Sequence, residues 1–236
     1  MRLNRSLAWL LAQLFPPACP LCSQTFSAGW TDPFCSDCLP GFLPLPAAHC
    51  PCCALPFAAT ENSAHLCGRC LKQPPPFRKV HALGRFDSSL RDAVHRFKFN
   101  DRVGLDRPLG TLLDRVIPTD IDIDLIVPVP LHRRRLQERS YNQALLLARE
   151  LARRRQRPVA VDRLLKGAET AAQQGLPARE RERNLHRVFH VQPPLHGERV
   201  LLVDDVMTTG ATVRACSRVL LDAGATAVEV AVIGRA

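Results

Sequence analysis

Four CxxC pairs constrain the N-terminal third of this chain more tightly than any other feature. Cys19/Cys22, Cys35/Cys38, Cys50/Cys53 and Cys67/Cys70 use eight of the 10 cysteines and leave Cys52 and Cys216 outside the pairs. Twelve residues separate the first two pairs and thirteen the last two. Thiolates two residues apart sit on one tight knuckle and offer both sulfurs to one metal, and a second knuckle closes a tetrahedron of four sulfurs around Zn²⁺. The near-equal spacers read as a duplicated unit: two zinc ribbons in series, eight cysteine ligands, two structural Zn²⁺. Sequential sites keep each ribbon local, and a cross-braced arrangement satisfies the same spacing. The competing disulfide framework needs an oxidising compartment and a signal sequence. The start of the chain, "MRLNRSLAWLLAQLFPPACPLC", offers only a short apolar run broken by Gln13, without a small-x-small cleavage site. Leu3, Leu7, Leu10, Leu11 and Leu14 instead mark one face of a short amphipathic helix that Pro16 and Pro17 stop. No stretch is long enough to span a bilayer, so the expectation is a cytoplasmic protein without a transmembrane segment. Metal would staple about 50 residues that are too few to build a good core, and the ribbons would also offer a docking surface.

The stretch "LKQPPPFRKV" has three consecutive prolines and no periodicity, and reads as a linker. It divides residues 1–74, the short helix and double ribbon, from a larger domain at 75–236. There strand and helix patterns alternate. Residues 80–86, 125–129, 188–191, 200–203 and 227–233 read as strands, and 89–99, 105–116, 142–155 and 212–223 as helices. Such alternation predicts an α/β domain, a parallel sheet flanked by helices with its ligand site beyond the carboxyl ends of the strands. The 46% hydrophobic content of the 236-residue chain suffices for that core.

Within this pattern "VLLVDDVMTTGAT" stands out. Four apolar residues form a buried strand, and a buried strand gains nothing from two consecutive carboxylates at its end, because desolvating them is costly. Asp204 and Asp205 therefore wait for a ligand. Thr208, Thr209, Gly210, Ala211 and Thr212 lead straight into a helix, so backbone N–H groups, hydroxyls and the helix N-terminus together suit a phosphate. Carboxylates beside a phosphate repel it unless they face a neutral part of the same ligand. A sugar carrying that phosphate meets the condition, with Mg²⁺ nearby. Neither GxxxxGK[ST] nor GxGxxG occurs, which excludes a P-loop and a dinucleotide fingerprint.

The motif closely resembles the phosphoribosyl pyrophosphate (PRPP) signature of type I phosphoribosyltransferases. That resemblance implies ribose 2′ and 3′ hydroxyls on Asp204 and Asp205 and the 5′-phosphate on the 208–212 loop. The whole chain resembles the ComF family (ComF/GntX type), in which a cysteine-rich ribbon precedes such a domain. The likeness rests on the four CxxC pairs, "FKFN", "VPVPLHRRRLQERSYNQA" and "TAAQQGLPARERERNLHRVF". Ser140 and Tyr141 stand where the family block usually carries Gly-Phe. By resemblance the protein acts in natural competence and DNA uptake, handling single-stranded DNA in the cytoplasm. Two alternatives are an active phosphoribosyltransferase of nucleotide metabolism, which would displace pyrophosphate from Mg·PRPP, and a non-catalytic adaptor docking on a DNA-uptake helicase or channel. No catalytic base or nucleophile can be read from the residues.

Charge agrees with a phosphate-bearing partner. The net charge is +10, and residues 131–190 alone carry fifteen Lys/Arg against six Asp/Glu. Arg133, Arg134, Arg135 and Arg139 leave the end of a strand, where guanidinium groups grip pyrophosphate or DNA phosphates, or in part face solvent. Lys98 and Arg181 are further candidate contacts, and Asn142 and Gln143 either cap a helix or meet ligand. Residues 170–187 are either a lid over the ligand or a surface loop. Aromatic residues, at 6%, are scarce for base stacking.

Overall fold

The computed structural model describes residues 16–26, 30–57, 65–99, 103–167 and 188–236. The expected helix before Pro16, the 170–187 segment with Arg181, and the side chains of Arg133 and Arg134 lie outside the described residues. The chain runs from α1 (Gly68–Lys72), inside the ribbons, to β1 (Val80–Arg85), α2 (Ser88–Phe99), α3 (Asp106–Val116), β2 (Leu125–Pro128), α4 (Arg133–Arg139) and α5 (Gln143–Arg155). It continues through β3 (Leu164–Lys166), β4 (Phe189–Val191), β5 (Arg199–Met207), α6 (Ala211–Asp222) and β6 (Ala227–Arg235).

Strands β1, β6, β5 and β2 form one sheet in that order, and every pairing in it is parallel. The apolar runs of β5 and β6 are buried on both sides, as a parallel sheet with helices on two faces requires. Alternation sorts their side chains. Val200, Leu202, Val228, Val230 and Val232 join α6 in one core, while Leu201, Val203, Ala231 and Ile233 join α2, α3 and α5 in the other. Each fully buried leucine or isoleucine there contributes about 1.5–3 kcal/mol of burial.

The two ribbons are copies of one another at the first knuckle. Ala18 bridges Thr25 and His49 bridges Pro56; Cys19 N–H donates to Gln24 O and Cys50 N–H to Leu55 O. Ser23 and Ala54 take the same left-handed conformation, at φ 65° and 57°. The pairing is sequential: the sulfurs of Cys19, Cys22, Cys35 and Cys38 lie within 4.8 Å of one another, as do those of Cys50, Cys53, Cys67 and Cys70. Cys52 stays outside, its thiol toward Arg78 O. The ribbons seat on opposite cores. The first packs with α2 and α3, the second with α6 and β6.

Four details differ from the sequence reading. Strand β5 does not stop at Val203: β6 continues alongside it, so Asp204 pairs with Val232 and Met207 with Arg235. The two acids thus stand inside the strand rather than at its end. Strand β4 does not join the main sheet; it pairs antiparallel with β3, which the apolar pattern was too short to reveal. Arg133–Arg139 forms a helix of its own. The proline segment is anchored, with Phe77 3% exposed and Arg78 N–H bonded to Val228 O.

Sequential pairing predicts two zinc ions per chain by elemental analysis. Replacing Cys19 and Cys22 with Ser should leave one, in a protein whose second tetrad still resists chelation. Loss of both ions from that variant would contradict two local sites.

Candidate functional site

The carboxyl ends of β2 and β5, with the end of α2, enclose a cleft of about 290 Å³. It is lined by Asp204, Asp205, Thr208 and Thr212, by the basic side chains of Lys98, His132, Arg135, Arg139 and Lys166, and by the apolar rings of Phe86 and Phe189. Strand parity puts the acids on different sides of the sheet rim. Asp205 continues the Leu201–Val203 face and meets Lys98 of α2, Nζ to Oδ2 3.0 Å, with both side chains less than one-fifth exposed. Asp204 continues the Val200–Leu202 face toward α6, and its Oδ1 accepts the Asp205 backbone N–H at 2.8 Å.

Asp204 sits in the more proton-retaining setting. Burial, and then the Asp205 charge beside it, push the Asp204 carboxyl up to about 7, against the pull of the Asp205 N–H and Lys98. Burial, with Asp204 close by, also pushes the Cys216 thiol well up, so this cysteine stays protonated and unreactive.

Beyond the strand, Gly210 opens α6 at φ +74°, and a Cβ there would lie 2.4 Å from Met207 Cε. The left-handed turn favours glycine, whereas the Met207 methyl is the end of a flexible side chain that could move aside. Ala211 N–H is donated to Thr209 Oγ1 at 3.4 Å. Thr208 and Thr209 are exposed, and Ala211 and Thr212 half-buried.

Of the basic candidates, Lys98, Arg135 and Arg139 come together in the cleft; Arg139 also donates to Gln143 Oε1 at 3.5 Å. Asn142 is a helix cap, its Oδ1 accepting from Ala144 N–H and its Nδ2 donating to Val129 O, each at 3.0 Å. Gln143 is buried and bonded to Phe97 O, which Tyr141 Oη also reaches. Ser140 takes the left-handed turn at φ 63° where glycine is usual in the block. His132 and Lys166 belong to the cleft as well. His132 was legible only as the residue following "VPVPL", and Lys166 stood near the 170–187 block without a pattern of its own.

The tetrads fit zinc. Tetrahedral Zn–S bonds of about 2.3 Å require sulfur–sulfur edges of about 3.8 Å, and Cys22–Cys35 and Cys53–Cys67 stand 3.5 and 3.6 Å apart. Burial opposes the Cys50 thiolate, but backbone N–H groups of Cys53, Cys67 and Cys52 outweigh it and bring its pKa down to about 7. That favours the metal-binding form of Cys50, whereas burial pushes the Cys53 and Cys70 thiols up. Among the described residues no helix is long and apolar enough to cross a membrane.

The native state holds the Asp204 proton more tightly than an unfolded chain, whose carboxyl titrates near 3.8. The stability this lends is complete below about pH 4 and is lost as pH rises through about 7. Asp204→Asn, which keeps the acceptor for Asp205 N–H, should therefore melt above the parent at pH 8 by a few degrees and show a smaller gap at pH 5. About 1 kcal/mol moves the Tm of a chain this size by roughly 2–4 °C. A gap that does not change between these two pH values contradicts the assignment.

Comparison with known proteins identifies the two domains and the family. Residues 10–71 match the family model of the double zinc ribbon domain, and residues 142–235 that of the phosphoribosyl transferase domain. The DNA utilization protein YhgH of Escherichia coli K12 is 37% identical over 188 residues, 77% of this chain and 81% of that protein. Competence protein F of Haemophilus influenzae is 35% identical over 182 residues, covering 73% and 80%. Competence protein ComFC of Bacillus subtilis is 25% identical over 229 residues, covering 87% and 89%. With a paired-cysteine double ribbon joined to a phosphoribosyltransferase-type parallel sheet, the chain belongs to the ComF family.

Proposed function

We propose that this protein binds PRPP, as its magnesium complex, in the β5–α6 cleft and couples that binding to the handling of single-stranded DNA in the cytoplasm. The observation that carries the reading is the rim of β5, where two carboxylates and a glycine-opened helix N-terminus share one cleft with a ring of basic side chains. In this reading Asp204 and Asp205 accept the ribose hydroxyls, while Thr208, Thr209, Gly210, Ala211 and Thr212 hold the 5′-phosphate. Lys98, Arg135 and Arg139, with Mg²⁺, face the pyrophosphate, and the sequence offers Arg133, Arg134 and Arg181 as further contacts to pyrophosphate or DNA. Residues 1–74 form the ribbon module, a docking face for a DNA-uptake helicase, and 75–236 the ligand domain. The DNA link is supported by the names of the relatives, DNA utilization protein and competence protein.

A second reading, turnover of PRPP, is favoured by the same basic ring. Arg135, Arg139 and Lys166 line the same cleft as the acids, and cations there would stabilise the charge of a departing pyrophosphate.

Two measurements test the proposal. In calorimetric titration with Mg·PRPP, the Asp204→Asn/Asp205→Asn protein should bind at least tenfold more weakly, since a charged hydrogen bond is worth about 1.5–3 kcal/mol. Equal affinity in a folded variant removes the ribose reading. Single-stranded DNA affinity should fall with salt, with a log–log slope of about −0.7 per phosphate contacted. It should fall again on replacing Arg133, Arg134 and Arg135 with Gln. Salt-independent binding would disprove the DNA contact.

A further inference from the structure

The 208–212 loop presents its amides only if something holds the opposite side of its peptides. In a trans peptide the N–H points away from the C=O of the same unit. The Thr208 carbonyl therefore sets the direction of the Thr209 N–H, and the Thr209 carbonyl that of the Gly210 N–H. Both carbonyls are gripped from behind by arginines. Arg235 Nη1 donates to Thr208 O at 2.6 Å and to Met207 O at 3.0 Å. Arg69 Nη1 donates to Thr209 O at 2.6 Å, across 140 residues of sequence.

Each of these arginines is fixed to the second ribbon. Arg69 lies inside the Cys67/Cys70 knuckle, on α1. Arg235, buried at 4% exposure, donates from Nε to Cys53 O at 2.8 Å. A third arginine, Arg214 on α6, donates to Gln73 O at 3.0 Å and approaches Cys70 Sγ at 3.7 Å, with its guanidinium over Phe77. The loop and the helix it opens are thus bolted to the knuckles of one tetrad. The first ribbon makes its ties elsewhere, through Arg96 to Leu21 O on α2 and through Arg115 to Asp32 on α3.

We infer that the second ribbon is part of the ligand site. Arg69 and Arg235 are positioning residues that carry the geometry of the Cys50/Cys53 and Cys67/Cys70 knuckles into the loop and aim its amides at a phosphate. Binding of a phosphoribosyl ligand then depends on the second ribbon and not on the first. This rests on the phosphate reading of the loop, but its structural content is independent of the ligand's identity.

Arg69 is exposed, so Arg69→Ala leaves the fold intact and is the informative variant; Arg115→Ala, which cuts one of the first ribbon's two ties, is its control. Both should retain two zinc ions. Titration with Mg·PRPP should show affinity reduced about tenfold in Arg69→Ala, or ~1.4 kcal/mol, restored in large part by Arg69→Lys and unchanged in Arg115→Ala. Hydrogen exchange without ligand should be faster at residues 209–212 in Arg69→Ala alone. If the parent protein does not bind Mg·PRPP, the PRPP reading fails and the exchange measurement decides this inference by itself. Exchange at 209–212 equal to the parent's, or an equal effect of Arg115→Ala, overturns it.

Discussion

The period-two alternation of β5 governs the chemistry of the rim. The strand is held between β2 and β6, so its residues must alternate between the two cores. The alternation does not stop where the apolar residues do. It continues into Asp204 and Asp205 and sends one carboxylate toward α6 and the other toward α2. Two adjacent carboxylates would otherwise compete for the same space and counter-charge. Parity separates them, and the elements on each face then set their states. The lysine on α2 compensates Asp205, while burial, and then the Asp205 charge, give Asp204 a high proton affinity.

What could be read from the sequence follows the range of the interactions involved. The CxxC knuckles and the strand-to-helix turn at Gly210 are made by residues within a few positions of each other, and their spacing displays them. The alternating elements of the body are nearly as local, and most boundaries shift by a residue or two. The extension of β5 past Val203 was hidden because it depends on β6, which lies beyond α6 and supplies ladder partners as far as Arg235. The three-residue strands β3 and β4 were likewise too short for periodicity to tell a hairpin from a strand of the main sheet. Least visible were the arginines behind the loop. Arg69 looks like any polar residue inside a knuckle, and Arg235 like the charged end of a strand, yet their partners lie 140 and 182 residues away.

The ribbons show how a segment without a core of its own becomes part of a larger one. Cys19 and Cys35 pack with Phe34 against α2 and α3, while Cys50, Cys53, Cys67 and Cys70 pack with Phe77 against the α6 side. Sulfur tetrads take the place of the apolar mass that about 50 residues cannot provide. The outer faces of those tetrads become apolar surface for the body. The proline segment follows from this arrangement. It cannot act as a loose tether, because Phe77 is buried, Gln73 O is held by Arg214, and Arg78 N–H is tied to β6.

The block around Ser140 and Tyr141 meets the same geometric demand with different residues. Ser140 occupies a left-handed turn that costs a side-chain-bearing residue on the order of 1 kcal/mol. Tyr141 offsets part of this with a hydroxyl that donates to Phe97 O, a bond that phenylalanine at this position cannot make. Gln143 reaches the same carbonyl. Phe97 precedes Lys98, so the donors that fix the end of α2 also fix the root of the lysine that neutralises Asp205. A turn at the start of α5 is thereby linked, through one carbonyl and one ion pair, to the charge state of the β5 rim.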